Sequence, residues 1–127
     1  MSMDWRGIFF PRINRKPPRE SRNPPNEQDL ERIEELREQG SRLNLPHPVR
    51  AFLVFDAERS ARGAGDLLGK EGFGCTVRSA PDGSWVLTAI AHVVPTPGAL
   101  TKLREQCQAV TAAHGGTYRG WDAPIVY

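Results

Sequence analysis

The stretch Val49-Arg50-Ala51-Phe52-Leu53-Val54-Phe55 constrains this chain most, because six of its seven residues are apolar. So short a run, set between Pro48 and Asp56, reads as a β-strand buried on both faces or nearly so. Such a strand needs covering layers, and the residues after it supply them. Asp56 is placed to cap a helix running through Lys70, with Ala57, Ala61, Ala64 and Leu68 on one face. Gly63 and Gly65 weaken that helix by about 1 kcal/mol each relative to Ala, but their small size lets it lie close to a sheet. Gly72 punctuates. Phe73, Cys75 and Val77 then alternate with Gly74, Thr76 and Arg78, which predicts a second strand.

Pro81-Asp82-Gly83 is turn chemistry between strands, and residues 85–94 form a third strand. Thr96-Pro97 pairs an N-cap with a proline at the first helical position. Leu100, Leu103, Cys107 and Val110 make the buried stripe of the helix it opens, which Gly115 or Gly116 ends. A short last strand covers residues 117–121. The order strand, helix, strand, strand, helix, strand predicts an α+β domain of the ferredoxin-like split βαβ type. In that arrangement (βαββαβ) two helices cover one face of a four-stranded antiparallel sheet.

An extra helix precedes this unit. Asn26 is a suitable N-cap, Glu27 and Asp29 complement the dipole in the first turn, Leu30, Ile33 and Leu36 recur at helical spacing, and Gly40 ends the run. The chain thus divides into a basic Pro-rich tail (1–25), a helix with its connector (26–48) and the ferredoxin-like domain (49–127). In the tail, Pro11, Pro17, Pro18, Pro24 and Pro25 favour an extended, polyproline-like path. The apolar cluster Trp5, Ile8, Phe9 and Phe10 ahead of it is expected to dock on the domain or on a partner.

With 127 residues there is room for one domain. No window approaches the roughly 18 apolar residues of a membrane span, and the first residues do not read as a signal peptide, which predicts a cytoplasmic address. Cys75 and Cys107 form no CxxC and no zinc-ligand spacing, so reduced, half-buried thiols are expected. The net charge of +2 is too small to imply nucleic acid, but it is unevenly spread. Residues 1–25 hold six basic residues against two acids, and residues 26–40 hold six acids against two arginines.

Nothing assembles into a catalytic, cofactor or metal site. His47 lies in a proline-bound connector, His92 near a strand end and His114 at a helix C-terminus, where the dipole explains it. Gly63, Gly65 and Gly69 fit neither a dinucleotide fingerprint nor a P-loop. The strand Ser84-Trp85-Val86-Leu87-Thr88-Ala89-Ile90 lacks the alternating aromatics with which an RNA recognition motif stacks bases, so direct nucleic-acid binding is not expected.

Several segments, in order, carry a resemblance. They are Leu36-Arg37-Glu38-Gln39-Gly40, Pro46-His47-Pro48-Val49 and Val94-Pro95-Thr96, followed by His114-Gly115-Gly116-Thr117-Tyr118-Arg119-Gly120-Trp121. The last resembles the H-G-G-x-Y-D-G-W ending of the RraB-type regulators of ribonuclease E, with Arg119 in place of the family's Asp. The resemblance spans roughly residues 30–127. It implies a ferredoxin-like, non-catalytic domain that binds the endoribonuclease and restrains RNA cleavage. Candidate partner contacts are Arg50, Phe52, Arg78, His92, Arg119 and Trp121, and strand alternation puts Arg50 and Phe52 on one face. The alternatives are an RNA-binding module using the basic tail and sheet, and a self-associating domain.

Overall fold

The computed structural model describes residues 24–127. The expectations placed on the tail and on Trp5, Ile8, Phe9 and Phe10 lie outside the described residues. From Asn26 onward the chain forms α1 (Glu27–Glu38), β1 (His47–Phe55), α2 (Glu58–Lys70), β2 (Gly74–Ser79), β3 (Trp85–Val93), α3 (Pro97–His114) and β4 (Thr117–Asp122). This α+β order has three helices and a four-stranded sheet ordered β2-β3-β1-β4, with every neighbouring pair antiparallel.

Local chemistry sets most of the boundaries. The Asn26 side chain accepts the Asp29 backbone N–H at 2.8 Å, and Thr96 accepts that of Ala99 at 3.1 Å. At the end of α1, Gly40 takes a positive φ of 89°. There the Gly40 and Ser41 N–H groups reach back to Arg37 and Leu36 carbonyls, a Schellman closure. Phe73 and Gly72 close α2 in the same way, onto Leu68 and Gly69. Asp56 does not cap α2. The helix begins a residue later than its carboxylate requires, and Ala57 holds the N-cap position without a side-chain bond.

β1 starts at His47 rather than at residue 49. Pro48 lies past the last β1–β4 pair, Arg50↔Asp122, where that side of β1 is an edge and a missing N–H is tolerated. Only one face of β1 is covered. Val49, Ala51, Leu53 and Phe55 are buried, whereas Phe52 and Val54 are half-buried and Arg50 is exposed. The expected double burial therefore fails: the register carries the covered set across to Leu87 and Ala89, and all described helices pack on that side.

Leu53, Phe55, Leu68, Leu87 and Leu100 are fully buried there, each contributing about 1.5–3 kcal/mol by burial. Gly65 lets α2 approach the sheet, with Leu87 Cδ1 3.3 Å from where a Cβ would stand. Gly63 plays the same part toward α3, against the His114 ring at 2.6 Å. α1 packs against α3 with Asp29, Ile33 and Leu36 buried. Leu30, expected on that stripe, is 43% exposed, because the buried row runs i, i+4, i+7 from Asp29.

Candidate functional site

The uncovered sheet face presents three transverse rows. Arg78, Val86, Val54 and Thr117 form the first by register. Thr76, Thr88 and Phe52 form the second, which Arg119 extends on β4, and Gly74, Ile90, Arg50 and Asp122 form the third. His92 follows, opposite Pro48. Five of the six residues expected to contact a partner thus share one face: Arg50, Phe52, Arg78, His92 and Arg119. All but the half-buried Phe52 are exposed.

Trp121 is separated from them. Ala51 pairs with Trp121 but Leu53 with Tyr118, so β4 spends one residue more than β1 across this step. This β-bulge, at whose end Gly120 takes a φ of 105°, inverts the alternation. Simple period-two counting puts Arg119 and Trp121 on one face. The bulge instead turns Trp121 into the core, 3% exposed, and brings Asp122 up beside Arg50.

Asp122 was not a candidate in the sequence, since its position depends on that bulge. Its carboxylate accepts from Arg50 Nε and Nη2, both at 2.8 Å. The bonds, and the charge behind them, hold the guanidinium further toward its charged form. Arg50 also stands 5.7 Å from the centroid of Phe52, so cation, ring and carboxylate form one fixed group on the open face. In the turn after β2, Asp82 accepts the Ser84 hydroxyl at 2.6 Å and its N–H at 2.9 Å. These bonds lower the Asp82 carboxyl, with a smaller contribution from the Arg119 charge.

Two polar clusters lie away from this face. On the covered side, the Trp121 indole N–H donates to Asp29 Oδ1 at 2.8 Å. Asp29 Oδ2 lies 3.6 Å from Arg104 Nε, and the buried Tyr118 hydroxyl nearby has no hydrogen-bond partner. This group ties α1, α3 and β4 together. Asp29 looked in the sequence like a first-turn acid serving the dipole. Its place four residues before Ile33 on the apolar stripe is the signal that it turns inward.

The second cluster joins Ser41, His47 and Val126. In the neutral ring, His47 Nδ1–H donates to the Leu45 carbonyl at 2.8 Å, so Nε2 accepts the Ser41 hydroxyl at 2.6 Å. Ser41 Oγ in turn accepts the Val126 N–H at 2.9 Å. The pair has nucleophile–base spacing, but both side chains are buried and the hydroxyl is committed to Val126. Burial also raises both thiols, Cys107 to about 12, which suits inert packing rather than redox chemistry. Among the described residues no helix is long and apolar enough to cross a membrane, and no three His, Cys, Asp or Glu side chains group to hold a metal.

The molecule therefore offers a one-sided sheet with a charged, part-apolar open face, and its polar clusters serve the fold. No curated protein matches the chain. Residues 26–123 match the family model described as RraB, regulator of ribonuclease activity B, a span running from the cap of α1 to just past β4. The protein belongs to the RraB family of regulators of ribonuclease activity.

Proposed function

We propose that this protein is a non-catalytic regulator that binds a ribonuclease E-type endoribonuclease and restrains RNA cleavage, working in the cytoplasm. The family match over residues 26–123 carries this reading. A ferredoxin-like assignment goes with it, supported by the β2-β3-β1-β4 order and the helices packed on one side. The open face is the docking surface, with Arg50, Phe52, Arg78, His92 and Arg119 as contacts. Trp121 acts from beneath, by fixing β4 and α1, and does not touch the partner. A partly apolar patch rimmed by charge is the usual composition of a transient protein interface.

The test is cleavage of a model RNA by ribonuclease E with and without a stoichiometric amount of this protein, alongside an RNA-only binding control. Slower cleavage without RNA binding is the expected result, and Phe52→Asp should abolish the effect while leaving the fold intact. Unchanged cleavage at stoichiometric protein would sink the proposal.

A further inference from the structure

Charge on the open face is arranged, not merely present. Arg78 stands on β2 and Arg119 on β4, the two edge strands. Neither makes a hydrogen bond or ion pair with a described residue. Three strand-to-strand steps and one row along the strands set their backbones roughly 16 Å apart. Between them runs a part-exposed apolar strip of Val54, Phe52 and Val86. Of the nearby carboxylates, Asp122 is paired with Arg50, while Asp82 is hydrogen-bonded to the neutral Ser84 and keeps a charge that Arg119 feels. Arg78, with no carboxylate partner among the described residues, and Arg119, with only the Asp82 charge in reach, therefore flank an apolar strip.

We infer that the open face docks an acidic polypeptide segment, one that seats an apolar side chain on the Phe52 strip between carboxylates that meet Arg78 and Arg119. The inference deepens the docking reading above and rests on it. Three other occupants fit less well. Residues 1–25 of this chain carry six basic residues against two acids, the same sign as the face. A second copy placed face to face would oppose arginine with arginine. RNA supplies negative charge, but it binds such sheets by stacking bases on several aromatics. Phe52 is the single aromatic on the open face among the described strands, and Arg50 already lies against it.

The experiment titrates the full chain into a fluorescent synthetic peptide carrying leucines between two pairs of glutamates. The same peptide with lysine for glutamate, and an oligouridylate, serve as comparisons. The acidic peptide is expected to bind, to weaken as salt rises, and to lose about tenfold or more in affinity to R78E/R119E. That double variant should in turn take the lysine peptide, which shows that the reversed face is still folded.

No binding of the acidic peptide, equal binding of the lysine peptide, or indifference to R78E/R119E would overturn the inference. So would tighter binding of the oligouridylate, peptide binding that emerges only when residues 1–23 are removed, or a mass that doubles with concentration through this face. The titration contains no ribonuclease, so its failure is distinct from failure of regulation in the cleavage assay.

Discussion

A carboxylate at 3% exposure and an indole 92 positions further along the chain settle how α1 is held. Burying an ionised group is tolerable only with partners, and Asp29 has two, the Trp121 N–H and the Arg104 guanidinium. Trp121→Phe keeps most of the packing and deletes the donor. It should cost about 1–3 kcal/mol, seen as a lower urea midpoint at unchanged slope. A wild-type midpoint would mean that the bond does not anchor the helix.

At this scale the sequence was only half legible. Buried apolar residues such as Leu100, Leu103, Cys107 and Val110 follow from spacing alone. Asp29 did not, because a first-turn acid has a sufficient surface explanation and its partner lies across the fold. Arg50 and Phe52 were correctly placed together, whereas Asp122, the group that fixes Arg50, could not be seen without the register.

For the elements, the β4 bulge has the widest effect. It puts Trp121 under the sheet and Asp122 above it, so it assigns residues to core and site alike. Gly120 holds a φ of 105°, which a β-branched side chain resists. Gly120→Val is expected to cost about 1–3 kcal/mol and to weaken partner binding through Arg119 and Asp122. Thermal melts and the peptide titration would report the two effects separately. Retention of wild-type stability would show that the turn of the strand does not depend on glycine.

Element type and order were readable from period, caps and turns, because each is a local signal. Three expectations that differ from the structure share one cause: β1 as buried on both faces or nearly so, Leu30 as inward, and Trp121, here buried, among the candidate contacts. Each depends on which neighbour lies on which side, a property that no window of sequence contains.

Across the whole molecule, burial of acids that ionise at high pH predicts an alkaline limit. The Cys107 thiol is moved from its ordinary 9.0 to about 12, mainly by desolvation, and the Tyr118 hydroxyl is also raised, again mainly by desolvation. Both folded-state values lie above the unfolded ones, so the unfolded chain loses these protons first. Their contribution is whole below about pH 9 and drains away as the pH climbs toward about 12. Urea midpoints measured under reducing conditions should therefore fall across that window. Cys107→Ala combined with Tyr118→Phe should lower the overall level yet flatten the slope. An equally steep slope in the double variant would place the alkaline sensitivity elsewhere.

The clamp between Asp29 and Trp121 also has a consequence in time. α1 leaves the ribosome early, yet the surfaces that receive it belong to α3 and β4, which follow about 60–90 residues later at a synthesis rate of about 5–20 residues per second. For several seconds Ile33 and Leu36 have no place to go, and a short helix with one narrow apolar row is marginal alone. Docking of α1 is thus a late, non-local step in folding, and its release the cheapest partial opening. Hydrogen exchange should find the amides of α1 the last to gain protection on refolding and the first to lose it in mild denaturant.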